Sequence, residues 1–336
     1  MLLYFRNREA AFFPRVVSVV LFSCNASCFL YRFLNRVGFS TSYSSLSERL
    51  HELGDSVLHT LEDLGRRIRC GETSVVWIYD NIQRNYVAWN QTVSNKNLMR
   101  TGTTAMILVM DDVSKGDLDL KALADRLHFR SNLTFNDLIN DLDSKHLDNI
   151  GKATLLSIWT KYIDSLRKFS PEATELFTDK HMKHPLRLRK STYYSLKTSS
   201  IDESRASGAK AVLADITSQL KLEEADLDDI LVPVAGDLVT VDRVRKLKRY
   251  TRTDTGIYNQ HKWALPWIQL WHMKWAALRS LYNTHWAGNI GKHLYGLRSD
   301  CNTLQRKNLN PGKCDFHTPH EAATVTFECL CIGALR

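Results

Sequence analysis

The stretch 230–252, which reads ILVPVAGDLVTVDRVRKLKRYTR, constrains the fold more than any other part of the chain. Its short apolar, β-branched run predicts a buried strand that ends at Gly236 and Asp237. A basic helix follows, and we expect Thr240 to cap it. This helix carries five cations: Arg243, Arg245, Lys246, Lys248 and Arg249. A carboxylate at a strand end, followed by dense positive charge, suits binding of a metal ion together with a polyanion. It also suits an ordinary strand–turn–helix unit.

Composition favours a soluble protein with a polyanionic partner. A chain of 336 residues can hold two or three domains, or one large mixed domain. Hydrophobic residues at 44% and charged residues at 24% are typical of a globular protein. The formal charge of +9 and the pI near 9.1 favour a partner such as DNA. The seven scattered cysteines do not form a disulfide framework, which favours an intracellular compartment, the nucleus included.

Residues 1–72 predict a helical N-terminal region. Apolar spacing predicts a helix over Cys28–Val37 that Gly38 ends. A longer amphipathic helix then follows a capping box formed by Ser45 and Glu48. Two helices across a glycine-containing turn fit a DNA-reading helix-turn-helix, and they fit any helical hairpin equally well.

An apolar run near the N-terminus raises the question of a membrane. Val16–Phe22 follows a basic, aromatic start, as the apolar part of a signal peptide does. The run is far shorter than the ~20 residues that span a bilayer, so we expect a buried helix and no membrane association.

The remaining residues, 73–336, predict a helix-rich, mixed α/β core. We expect strands near 74–80, 86–93, 103–110 and 230–236, the first three as a meander. The polar segment 112–229 predicts a large helical insertion, and Lys180–Lys197 within it is a second basic region.

The candidate chemistry rests on acidic residues at strand ends. Asp80 and Asp237 each end a predicted strand, and neighbouring strands can bring both carboxylates together. Mg²⁺ or Mn²⁺ held by such oxygens, with substrate phosphates, can cleave phosphodiesters. Glu328 is the best third acid on the sequence, and the fallbacks are Asp111, Asp112 and Asp315. The alternative is that both aspartates are turn or cap residues. No nucleotide-binding glycine loop is present in the sequence, so no nucleotide cofactor is expected.

Aromatic and metal-ligating residues cluster towards the C-terminus. Four tryptophans recur every fourth residue from Trp263 to Trp275, and the last three lie on a helix that we expect to begin at Pro266. Such a stripe favours core or interface packing, with base stacking as the alternative. His272 lies in this stripe as a polar core group or a site residue. A zinc site is a weaker alternative, with ligands among Cys314, His317, His320, Cys329 and Cys331.

Several of these motifs together resemble a known family. They are VVWIYDN (75–81), VPVAGDLVTVDRVRKLKRY (232–250), WALPWIQLWHMKWAALRSLYNTHW (263–286), LNPGKCDFH (309–317) and the opening helices over 22–46. They are similar to a fungal family of unknown function that occurs in transposon-like copies in mushroom-forming fungi. Members usually read GDQLT where this chain has Leu238 in place of the glutamine. They also continue past Arg336, so the resemblance predicts a truncated copy.

The layout resembles a ribonuclease-H-like core of DDE transposases. The resemblance implies an Asp in the first strand (Asp80), two further strands, a second Asp closing a later strand (Asp237), and a following His (His272). In the hAT and Mutator types a Cys-x-x-His is common near the last position, whereas this chain has Gln269 there. A transposase-derived protein of this kind would bind DNA through the basic helix and through Lys180–Lys197. The alternative is a catalytically inactive, helical binding protein.

Overall fold

The structure is a computed structural model that describes residues 11–87, 91–93, 96–128, 133–176, 188–286, 296–306, 309 and 316–335. The α-helices, in chain order, are α1 Phe12–Ser23, α2 Cys28–Arg36, α3 Tyr43–Arg69, α4 Leu120–His128, α5 Phe135–Asn140, α6 Ser144–Tyr162, α7 Ser170–Glu175, α8 Ala206–Gln219, α9 Leu238–Tyr250, α10 Leu270–His285, α11 Leu297–Thr303 and α12 His317–Gly333. The strands are β1 Ser74–Tyr86, β2 Leu98–Met110, β3 Tyr193–Ser195, β4 Val232–Gly236 and β5 Ala264–Ile268. The predicted helix-rich, mixed α/β class is confirmed.

The chain divides into two compact units. The first contains residues 1–119, 192–234 and 243–265. The second contains residues 120–191, 235–242 and 266–336. The segment predicted as one helical insertion is therefore shared between the two units, because β3 and α8 belong to the first.

The sheet has the strand order β3-β2-β1-β4-β5. β1 and β2 form a long antiparallel hairpin in which Ser74 faces Met110 and Tyr86 faces Leu98. β3 pairs antiparallel with β2. Val232 N–H donates to the Trp263 carbonyl at 2.8 Å, which joins the start of β4 to the chain entering β5. Two predicted bounds differ: β1 continues six residues past Asp80, and no strand is present at the described positions 87 and 91–93 of the expected second strand.

The core of the first unit lies on one face of the sheet. Val75, Trp77 and Tyr79 alternate along β1 and are all buried. The Trp77 ring meets Trp263 edge-on, with 5.2 Å between ring centroids. Helices α3, α8 and α9 cover this face with the buried side chains of Leu61, Leu64, Ile68, Val212, Leu213, Ile216, Val244 and Leu247. Burial of these apolar groups stabilises the unit by about 1.5–3 kcal/mol for each large side chain.

The three N-terminal helices are present, with different caps from those expected. Ser42, three residues before Ser45, caps α3, because its side chain accepts from Ser45 N–H at 3.1 Å. Tyr31 anchors α2 on α1 by donating to the Ser18 carbonyl at 3.1 Å. The expectation of a buried α1 is wrong, since Phe12 is 80% exposed and most of its apolar side chains face outward. Among the described residues, no helix has the length and apolar character that crossing a membrane requires.

The second unit is built from helices around α12. Trp159 on α6 donates its indole N–H to the Cys331 carbonyl on α12 at 3.0 Å. The Tyr282 hydroxyl on α10 donates to the Pro319 carbonyl at 2.8 Å. Tyr282 is buried and Trp159 is half-buried, and the polar atom of each finds a backbone partner. Together they fix α6 and α10 against α12.

One glycine permits a close contact between α3 and the end of α8. Gly65 on α3 is buried against the carbonyl group of Leu220 at the end of α8, and a Cβ at this position would overlap that oxygen. Because the obstacle is backbone, rotamer adjustment of a side chain cannot relieve the overlap. Gly54 lies on the same helix, and a Cβ added there would meet no atom within 4 Å.

We therefore predict opposite effects for the same substitution at two positions of α3. Gly65→Ala should lower the free energy of unfolding by about 1–3 kcal/mol or more, because α3 and α8 must separate. Gly54→Ala should raise it by about 0.5–1 kcal/mol, because alanine restricts the unfolded chain. Urea denaturation followed by circular dichroism measures both. Equal effects would contradict this packing of α3.

Candidate nucleic-acid interface and carboxylate positions

The turn between β4 and α9 is set by Gly236 and Asp237. A Cβ on Gly236 would lie 2.5 Å from a methyl carbon of Thr240, so only glycine fits there. Asp237 caps α9, because its Oδ1 accepts from Thr240 N–H at 2.6 Å. The expectation that Thr240 is the cap is therefore wrong: Thr240 lies in the first helical turn and is 1% exposed. Asp237 has the helix-capping role that the sequence left open as the alternative to metal binding.

The buried face of α9 determines where its cations point. Val241, Val244 and Leu247 lie at helical spacings of three and are 0–3% exposed. The positions between them must face solvent or the edges of the buried stripe. The five cations therefore separate into two groups.

Two of the cations make contacts within the first unit. Arg243 pairs with the buried Glu203 at 3.1 Å between Nη1 and Oε1. Lys248 donates from Nζ to the carbonyls of Ala264 at 2.6 Å and Lys262 at 3.3 Å. A carboxylate buried as deeply as Glu203 is stabilised by a cation close by. Both cations thus have structural roles that the sequence did not predict.

The other three cations, Arg245, Lys246 and Arg249, are exposed. Arg245 and Arg249 are four residues apart and lie on one face of the helix. Arg252, in the turn after α9, is exposed as well. We call Arg245 and Arg249 the basic face of α9. Of the second predicted basic region, Lys190 and Lys197 are exposed, whereas Lys180, Lys183 and Arg187 lie outside the described residues.

Burial changes the titration of Lys248. Desolvation, reinforced by the charge of Lys262, lowers the pKa of Lys248 to about 8. In the unfolded chain a lysine has a pKa of about 10.4. Between these values the unfolded chain binds the proton and the folded chain does not, so this group makes the folded state more stable as pH rises.

We predict that the wild type gains unfolding free energy, relative to Lys248→Met, as pH rises from about 8 towards about 10.4. Below about 8 the difference between the two proteins should be flat. Urea titrations of both proteins across this range measure it. A difference that is constant across the range would contradict the burial of this ammonium group.

Asp80 lies within β1 and not at its end. It is exposed, and strand alternation places it on the face opposite Trp77 and Tyr79. Its Oδ1 accepts from the backbone N–H of Asn81 at 2.8 Å, and its partner across the hairpin is Thr104. Asp80 belongs to the first unit and Asp237 to the second.

Glu328 is engaged on α12. The Tyr162 hydroxyl donates to its Oε2 at 2.6 Å, and Lys161 Nζ lies 3.0 Å from its Oε1. The hydrogen bond from Tyr162, aided by Lys161, lowers the pKa of Glu328 against the opposing effect of burial. Glu328 therefore links α6 to α12 within the second unit.

The remaining candidate ligands are dispersed. His272 on α10 is half-buried, and its ring lies edge-on to Trp271 at 4.8 Å between centroids. Asp111 and Asp112 are exposed in the turn after β2, while Asp315 and Cys314 lie outside the described residues. Within the described part of the chain, no group of three or more His, Cys, Asp or Glu side chains is arranged to hold a metal ion.

The tryptophan stripe differs most from its prediction. Trp263 is 1% exposed, but Trp267, Trp271 and Trp275 are 50%, 46% and 39% exposed. The helix begins at Leu270, because Pro266 lies in β5. Of the predicted core or interface packing, the core part is therefore wrong for the last three members, and interface packing stays a prediction.

Comparison with protein families gives a match over the C-terminal part of the chain. A family described as a family of unknown function (DUF6589) matches residues 128–336, well over half of the chain. The chain belongs to this family. The DUF6589 match includes Asp237, α9 and α10, whereas Asp80 and the β1–β2 hairpin precede it. Comparisons with curated proteins and with solved structures find no match.

Proposed function

We propose that this DUF6589 protein is a transposase-derived, DNA-binding protein and that the basic face of α9 contacts the phosphate backbone. The observation that carries the proposal is the division of cations on one helix. Arg243 and Lys248 serve the fold, whereas Arg245 and Arg249 extend from it and form no ion pair within the described residues. Exposed cations without a structural partner are available to a polyanion.

Electrostatics of the whole chain support this proposal. The net charge of +9 attracts a polyanion at long range. Each phosphate neutralised by a cation releases condensed counterions, so affinity falls as salt rises. Side chains that reach only phosphates bind without sequence preference, and they fix the position of the protein on the duplex.

We predict that Arg245→Gln/Arg249→Gln weakens duplex DNA binding and reduces the slope of log affinity against log salt by about 2, because two phosphate contacts are lost. Fluorescence anisotropy with a labelled duplex measures both quantities. The double variant should fold normally, since both side chains are exposed.

The matched control is Arg32→Gln/Arg36→Gln. These two arginines are also exposed and four residues apart, but they lie on α2. The control removes the same charge, so it should leave the salt slope nearly unchanged. Loss of slope in the α2 variant and not in the α9 variant would contradict the proposal and would favour the N-terminal helices as the interface.

The second candidate function is phosphodiester cleavage or strand transfer assisted by Mg²⁺ or Mn²⁺ at Asp80 and Asp237. The order of elements supports it: an Asp in β1, two further strands, and an Asp directly after β4. The exposed Asp80 carboxylate accepts only from the adjacent backbone among the described residues. Such ions would polarise the phosphoryl oxygens and activate the attacking water.

For this second function we predict metal-dependent nicking of supercoiled DNA that Asp80→Asn and Asp237→Asn each reduce by more than about 100-fold, because metal stabilisation of the transition state amounts to several kcal/mol. Asn caps helices about as well as Asp, so Asp237→Asn preserves the start of α9. Asp55→Asn, at an exposed position of α3, is the control. Binding without nicking would reject catalysis and favour the alternative, an inactive binding protein.

A further inference from the structure

A second surface with features suited to binding nucleic acid, namely cations and exposed aromatic rings, lies on α10 in the second unit. Residues 255–299 contain no Asp or Glu, but they contain Lys262, Lys274, Arg279, Lys292 and Arg298. On α10 itself the charged side chains are Lys274 and Arg279. An exposed helix that carries cations and no carboxylate is complementary to a polyanion.

Exposed aromatic rings share this helix. Trp271 lies between two aromatic neighbours, with 5.0 Å between ring centroids to Trp275 and 5.8 Å to Phe316. Phe316 is 8% exposed and stacks on His320, with 5.1 Å between ring centroids, so Trp271 packs against a buried ring that is itself held in place. Trp271 is 46% exposed and Trp275 is 39% exposed, so each presents part of its ring to solvent. These contacts fix the rings before any ligand arrives.

A cation accompanies the rings. Lys274 Nζ lies 5.6 Å from the centroid of Phe316, within cation–π distance. Positions 271, 274 and 275 share one face of a helix, because residues three and four apart are neighbours. We call Trp271, Trp275, Phe316 and Lys274 the aromatic platform.

We propose that the aromatic platform binds single-stranded DNA by stacking unpaired bases on Trp271 and Trp275, with Lys274 next to the backbone phosphates. In a duplex each base is stacked between its neighbours, so the platform selects unpaired strands. Stacking on aromatic rings, combined with a cationic track, is how proteins hold single strands without reading sequence. The choice of DNA as the ligand rests on the proposed function, whereas the geometry of the aromatic rings is independent of it.

An ordinary apolar interface explains the surface less well. A contact in which α10 of one copy packs on α10 of another would bring Lys274 and Arg279 against the same cations, with no carboxylate on α10 to pair with them. Like charges that are brought together in a dry interface are destabilising. A nucleic acid supplies both the flat rings and the negative charge that this surface lacks.

The test uses the full chain and a fluorescein-labelled oligothymidylate in an anisotropy titration at fixed salt. Trp271→Leu and Trp275→Leu should each weaken binding at least about fivefold, because a stacked base is lost. Leucine keeps apolar contact with Phe316. Trp267→Leu is the matched control, since Trp267 is 50% exposed and precedes α10; its affinity should stay within about twofold. Quenching of tryptophan fluorescence by the oligonucleotide should fall in Trp271→Leu and persist in the control.

Four results would overturn the inference. Two concern oligothymidylate affinity: no change in Trp271→Leu, or an equal loss in Trp267→Leu. The third is tighter binding of oligouridylate than of oligothymidylate, and the fourth is a dimer, detected by light scattering, that Trp271→Leu dissociates without altering oligothymidylate affinity. The last result would assign the surface to self-association. The Arg245→Gln/Arg249→Gln variant separates this inference from the proposed function. It should lose duplex affinity and retain the Trp271-dependent binding of oligothymidylate. If duplex binding is absent and the Trp271 effect persists, the proposed function fails alone.

Discussion

Burial of the apolar stripe of α9 is the constraint on which the rest of this account depends. Val244 and Leu247 anchor the helix on the core of the first unit, and this fixes the direction of its other side chains. Arg243 and Lys248 are thereby held against Glu203 and backbone carbonyls. Without that orientation, the five cations would form one undifferentiated charged segment. With it, Arg243 and Lys248 stabilise the fold, while Arg245 and Arg249 are available to a partner.

The three candidate acidic residues differ in how much each contributes to the stability of the fold. Asp237 caps α9 and Glu328 joins α6 to α12, so each contributes to the fold without any metal. Asp80 is exposed within a strand, where a carboxylate adds little to stability. A capping aspartate keeps its second oxygen outside the cap hydrogen bond, so capping and metal binding are compatible chemically. The aspartate substitutions are therefore chosen to keep the cap while changing the charge.

Local sequence patterns predicted which strands and helices form better than they predicted the residues at which these elements begin and end. The apolar run at Ser74–Tyr79 correctly predicts β1, and the run before Gly236 correctly predicts β4. The extension of β1 to Tyr86 depends on pairing with Leu98 and its neighbours on β2, and no local pattern records a partner so distant in sequence. Pro266 fits the first turn of a helix by propensity, but it lies in β5 because that segment adds to the sheet edge.

For the candidate sites too, local patterns could not predict contacts with residues that are distant in the sequence. Spacing predicts a basic helix, but the inward orientation of Arg243 depends on Glu203, 40 residues earlier in the chain. Apolar periodicity also treats all four tryptophans alike, although only Trp263 is buried. No local signal separates the four, because all of them lie in the stretch 255–299, which contains no Asp or Glu.

The measurement that tests the central claim most directly is arginine modification by a dicarbonyl reagent, read by mass spectrometry with and without saturating duplex DNA. The account predicts that Arg245 and Arg249 react readily in the unbound protein and lose most of this reactivity on DNA. It predicts that Arg243, paired with Glu203, reacts slowly in both states. Equal modification of Arg245 and Arg249 with and without bound DNA would contradict the account, and so would fast modification of Arg243.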